Sequence, residues 1–124
     1  MEYMAYPTDS ISAHVEAEIG QADELLRGGD GEAAFRHLER AHVLGQASTF
    51  HHTRVHFLML KLALKAFSPR EIFGQIFRIV GAATKTPFGI YPTGNTGGSD
   101  VWFFKPMPVP DDLRAILDRS NAKS

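Results

Sequence analysis

Residues 31–66 read GEAAFRHLERAHVLG, then QAST, then FHHTRVHFLMLKLALKA, and this stretch decides the fold. In the first block Ala34, Leu38 and Ala41 recur at helical spacing, so a helix runs from about Gly31 to Gly45. The last block, from about Phe50 to Ala66, is apolar over a wide arc and predicts a helix central in a bundle. Only Gln46–Thr49 separates the two. A connection this short makes them antiparallel neighbours.

Working outward, Gly28-Gly29-Asp30 ends an earlier helix and caps this one. That earlier helix starts at a Ser10 cap and runs to about Arg27, with Ile11, Val15, Ile19, Ala22 and Leu26 near helical spacing. Downstream, Ser68-Pro69-Arg70-Glu71 is a strong helix start, with Ser at the cap, Pro in the first turn and Glu three positions on. This fourth helix carries Ile72, Phe73, Ile76, Phe77 and Val80 and runs to about Thr84. Periodicity then stops. Residues 85–110 hold five of the seven prolines and Gly89, Gly94, Gly97 and Gly98. An irregular stretch this long in a small domain is often functional. Val101-Trp102-Phe103-Phe104 is its expected apolar anchor and a candidate short strand. Lys105–Pro110 should be extended, because its proline spacing forbids helix. Asp111 or Asp112 caps a last helix to about Arg119. The expected fold is a single all-α domain over residues 1–124. It has four main helices, a loose leader at 1–9, a long Gly/Pro loop at 85–110, a short C-terminal helix and a frayed tail at 120–124.

Ala22, Leu25, Ala34, Leu38 and Ala41 give the first helix pair the small-and-large spacing of a tetratricopeptide unit. A shift by one repeat length puts His56 where a small residue belongs, so the pattern does not repeat. One unit cannot form a solenoid, and local helix packing is the better reading.

The chain has 124 residues and suits one domain. It has no cysteine, which excludes a disulfide scaffold, Cys-ligated zinc, iron–sulfur clusters and thiol catalysis. Its formal net charge of -1 gives no overall positive field toward nucleic acid or anionic lipid. Met1 leads straight into Glu2 without a signal peptide, and no apolar run reaches the ~20 residues of a membrane span. A soluble, cytoplasmic protein is expected. Charge is unevenly placed, with eight acids and one base in residues 1–33, and eight bases and two acids in residues 34–86. The acidic stretch could lie against the basic one. Surface pairs are worth little, so opposite solvated faces are the simpler expectation.

Four of the six histidines fall in residues 40–57. Glu39 and His42 are three apart and share a face of the second helix; His52 and His56 are four apart and share a face of the third. Counted from the turn, His42 and His52 lie at one level, and Glu39 and His56 at the next. His52, Val55, His56, Met59, Ala63 and Ala66 form one stripe whose other members are apolar, so these imidazoles should point inward. Three imidazoles and a carboxylate on facing helices suit a divalent transition metal. The competing reading is a polar core in which each ring nitrogen finds a hydrogen-bond partner. His51 should point elsewhere, and His14 and His37 are expected to be surface or packing residues.

Glu71 is either the capping-box glutamate of the fourth helix or a further ligand, with Gln46, Gln75 and Arg78 supporting the site. The Glu-x-x-His pair occurs once, which favours one metal over a di-metal centre. Gly94-Asn95-Thr96-Gly97-Gly98-Ser99 lacks the lysine of a phosphate loop, so turns that need positive φ explain its glycines better. Such a loop can still fold over a site.

The string Leu38–Gln46, with His52, His56, Glu71, Gln75, Arg78 and Gly94-Asn95-Thr96-Gly97, resembles a family of small bacterial proteins. That family is a domain of unknown function with an Arg-Ala-His motif, here Arg40-Ala41-His42, and the resemblance spans about Glu32 to Leu117. It implies no established activity. It does imply a neighbourhood of heavy-metal resistance genes, compatible with metal binding.

The leading expectation is a metal-binding or buffering protein with Glu39, His42, His52, His56 and possible ligand Glu71. Zinc and iron are the first candidates, nickel and copper the next. One alternative is a small metalloenzyme with an open coordination position, with substrate held by Gln75 or Arg78 under the loop. Another is a metal-free helical interaction module. An open position facing a cleft would separate the first two. The sequence does not set the oligomeric state.

Overall fold

The computed structural model describes residues 10–66, 68–102 and 104–122. The expected leader at 1–9 and Phe103 lie outside them. The elements are α1 (Ile11–Arg27), α2 (Gly31–Gly45), α3 (Thr49–Ala66), α4 (Pro69–Lys85), a 3-10 turn (Thr86–Phe88) and α5 (Asp111–Ala122). Two starts are set by side-chain caps. The Ser10 hydroxyl accepts from the Ala13 N–H at 3.1 Å, and the Asp30 carboxylate accepts from the Ala33 N–H at 3.0 Å. At α5 both candidate caps, Asp111 and Asp112, lie inside the first turn, where acids favour the helix dipole. The helix continues to Ala122, beyond the expected end at Arg119.

The expected capping box at α4 is not formed. The Ser68 N–H that Glu71 would accept from already bonds to the Ala63 carbonyl at 3.1 Å. Glu71 instead accepts from the Ser99 N–H and the Gln75 amide, both at 2.9 Å.

Successive helices pack on one another, and α5 rests on α1 and α2. Val15, Ala34, Leu38, Ala41, Leu44, Val55, Met59 and Leu113 form the centre of the core. Ala22, Ala34 and Ala41 are buried, so the small residues of the first hairpin let α1 and α2 approach closely. Met59 is fully buried, and truncation to Ala would cost about 2–5 kcal/mol. The inward stripe of α3 holds from His52 to Ala63, whereas Ala66 is exposed at its end.

The acidic first helix does meet the basic middle of the chain. Glu18 bonds to His37 at 2.7 Å and Arg40 at 2.9 Å, and Glu16 pairs with Arg54. The pairs are partly exposed and add little each. They orient α1 across α2 and α3 rather than leaving two separate solvated faces.

Helix α4 is turned opposite to its apolar pattern. Phe73, Ile76, Phe77 and Val80 are exposed, and Gln75 is fully buried. The reason lies in the long loop packed on the inner face of α4, whose backbone groups need polar partners. Arg78 donates to the Gly74 and Val101 carbonyls and to the Ser99 hydroxyl. Gln75 donates to the Gly97 carbonyl.

The same demand removes the expected strand at residues 101–104; the described residues contain none. The Val101 and Trp102 carbonyls are taken by the Arg78 and Asn95 side chains, so no strand partner is required. Trp102 is two-thirds exposed and is not an apolar anchor. Val109 and Leu113 take that role instead. Among the described residues, no helix is long and apolar enough to cross a membrane.

Candidate metal centre

Helix α2 supplies His42, and α3 supplies His52 and His56; all three are buried. Their ring centroids lie 4.6–5.0 Å apart, and one ring nitrogen of each lies within 4.8 Å of the others. The expected pairing of levels differs in one respect. His42 touches both histidines of α3 instead of His52 alone. Glu39 and Glu71 lie outside this group of ligand atoms.

The hydrogen bonds fix the state of two rings. The His42 Nδ1 lies 2.7 Å from the Asn95 carbonyl, which can only accept, so Nδ1 carries the hydrogen. The His56 Nδ1 lies 2.6 Å from Gln75 Oε1. The Gln75 Nε2 donates to Glu71 at 2.9 Å and to the Gly97 carbonyl at 2.8 Å, which assigns its oxygen to His56. His56 therefore also carries its hydrogen on Nδ1. Each ring then presents a lone pair at Nε2, and these two nitrogens face each other at 3.0 Å. Two lone pairs at that distance repel unless a cation stands between them. The His52 Nδ1 lies 2.7 Å from the Thr86 hydroxyl, which holds the third ring in place.

A proton is a poor candidate for that cation. Burial holds His42 well below the usual histidine range, with the charges of His56 and His52 adding to the effect. Burial pushes His52 down to about 4, and burial followed by the charge of His52 pushes His56 down to about 3. Neutral imidazoles are the ligand form that zinc, iron, nickel and copper bind. Tetrahedral coordination at ~2.0–2.1 Å asks for nitrogens roughly 3.3 Å apart, near the spacing of His42 and His56.

The loop over this cluster is built to fit it. Gly97 has φ 88°, and a Cβ there would stand 2.7 Å from the His42 ring. Gly94 has φ 81°, and a Cβ there would overlap the Met107 carbonyl oxygen. These positions bear out the turn explanation of the glycines. Gln46 pins the loop by donating to the Pro92 carbonyl at 2.7 Å and accepting from the Gly94 N–H at 2.8 Å. Asn95 accepts from the Gly97 N–H and donates to the Trp102 and Lys105 carbonyls. Of the expected supporting residues, Gln75 touches a histidine directly, while Gln46 and Arg78 act by holding the loop.

Two clefts flank this arrangement. One, of about 330 Å³, opens onto His42, His52 and His56 and is walled by Phe77, Val80, Ile90, Tyr91 and Phe104. The other, of about 570 Å³, contains Glu32, Glu39, Glu71 and Asp100. Burial, then the charge of Asp100, raises Glu39 from 4.5 to about 7, against a hydrogen bond from Thr96.

The other histidines behave differently. His51 is buried and bonds to the Ser12 hydroxyl at 2.9 Å, away from the cluster, as expected. His37 is held by Glu18 and serves packing between α1 and α2. Asn95 and Thr86 were not among the expected site residues. The Gly94-Asn95-Thr96-Gly97 string in a long loop was the signal for Asn95; Thr86 had none.

Neither the curated proteins nor the solved structures contain a match to this chain. Residues 9–117 match a family model described as protein of unknown function (DUF3703), and the chain belongs to that family.

Proposed function

We propose that this protein binds one divalent transition metal through His42, His52 and His56. The observation that carries the reading is the 3.0 Å approach of two Nε2 atoms whose Nδ1 hydrogens are both committed to acceptors. A metal ion turns that repulsion into coordination. Asn95, Gln75 and Thr86 orient the ligands, and Glu71 acts on His56 through Gln75 instead of ligating. Zinc and iron suit the donor set best, with nickel and copper next. The role is cytoplasmic metal homeostasis, in keeping with the resistance-gene neighbourhood that the family resemblance implies.

A second observation favours an exchangeable site over a closed store. Three protein ligands leave a fourth position, and the smaller cleft opens onto the same histidines. A metal used in chemistry needs that opening; a storage site does not.

Elemental analysis and calorimetric zinc titration of the tag-free chain test the reading. About one metal per chain is expected, with binding lost in His52→Ala/His56→Ala. An equally folded wild-type protein that takes up no metal would return the histidines to a polar core.

A further inference from the structure

The cleft beside the histidines has a chemistry of its own. Phe77, Val80, Ile90, Tyr91 and Phe104 wall it, and among the described residues no aspartate or glutamate lines it. The charged side chains among its described lining residues, Arg78 and Lys85, are both cationic. Arg78 uses its terminal nitrogens on the loop, and its buried Nε–H has no hydrogen-bond partner among the described residues. At about 330 Å³ the cleft is at the small end of the ~300–1,000 Å³ typical of small-molecule sites. The neighbouring acidic cleft would repel an anion; this one attracts it.

We propose that this cleft binds a small monocarboxylate with an apolar body. Its carboxylate occupies the fourth position of the metal, and its hydrocarbon part lies among Phe77, Val80, Ile90 and Phe104. The inference rests on the metal reading above. The metal and Arg78 supply the positive field for the head group. The walls supply the affinity of the body, at about fourfold for each methylene removed from water.

The test uses the full chain loaded with cobalt(II), whose visible absorption reports its ligands, titrated with hexanoate and with acetate. Hexanoate should perturb the cobalt bands and bind at least tenfold more tightly than acetate. Val80→Asn puts a polar but uncharged side chain on an exposed wall, away from the ligands. It should cut hexanoate affinity about tenfold while leaving acetate and cobalt binding unchanged. Cobalt bound through the histidines, with bands that neither carboxylate alters, would overturn the ligand site and leave the metal reading standing. Equal affinities for hexanoate and acetate would also overturn it. A folded protein that takes up no cobalt would overturn both.

Discussion

The two clefts lie on either side of one loop and differ in almost every chemical respect. One has three neutral imidazoles, apolar walls, Arg78 and Lys85. The other has four carboxylates, from Glu32, Glu39, Glu71 and Asp100, with Arg36 as its cation. Glu39 and His42 sit three residues apart on α2, yet they serve different clefts. Residues three apart on an α-helix differ by about 60° around its axis. That angle is enough for the 94–101 segment to pass between them. A Cβ at its Gly97 would stand 2.7 Å from the His42 ring, and one at its Gly98 would stand 3.5 Å from the Glu39 carboxylate. Sharing a helix face is therefore necessary for a common site and not sufficient for one.

The strongest way to break this separation is through Gln75, which joins the two clefts. Its oxygen holds His56 and its amide holds Glu71. Gln75→Leu keeps the volume and removes both of these bonds together with the one to the Gly97 carbonyl. Metal affinity should fall about 10–100-fold, as when a group orienting a metal ligand is lost. Glu71→Gln should have a smaller effect, because an amide oxygen can still accept from Gln75. Calorimetric zinc titration of the two variants checks the order. Equal losses would mean that the Glu71 charge matters more than the orientation of His56.

A second substitution acts on the divider itself. Gly97→Ala places a Cβ at φ 88° and 2.7 Å from His42. Either the loop lifts or the ring turns. The expected cost is about 2 kcal/mol in urea unfolding, with weaker metal binding. Gly20→Ala is the control, since a Cβ there meets nothing within 4 Å and the site is helical. It should stabilise by about 0.5–1 kcal/mol.

The same contrast separates what could be read from the sequence from what could not. Helix α2 was legible to both ends, because Asp30 caps it and the short Gln46–Ser48 link follows. The three histidines were legible because their partners are only one turn away in sequence and one short connection away in space. The inverted face of α4 was not. Its Phe and Ile spacing is a strong signal for burial, and nothing local reveals that loop carbonyls far downstream need Gln75 and Arg78 more. Asn95 and Thr86 were hidden for the same reason, since their contacts with His42 and His52 span 53 and 34 residues. Short-range periodicity reports which residues share a face. Which face is covered depends on segments whose own course has no period.

The smallest expected effect, and the one that separates the clefts by sign, is pH dependence in the metal-free protein. Glu39 has its carboxyl raised from 4.5 to about 7, by burial first and Asp100 second. The folded state then holds a proton that the unfolded chain has released. Stability should therefore fall as pH rises from about 4.5 to 7. The depressed histidines work in the opposite direction. Their contribution is complete above about 6.5 and is lost as pH falls through about 4 for His52 and 3 for His56. Glu39→Gln removes only the first effect. At pH 8 it should stabilise by about 1 kcal/mol, a figure kept small because Glu39 is only partly buried and solvent screens its neighbours. At pH 4 it should change little. Urea unfolding of both proteins at the two pH values decides the point. A variant equally stabilised at pH 4 and pH 8 would show that Glu39 is unfavourable for its packing, not its charge, and the acidic cleft would lose its electrostatic character.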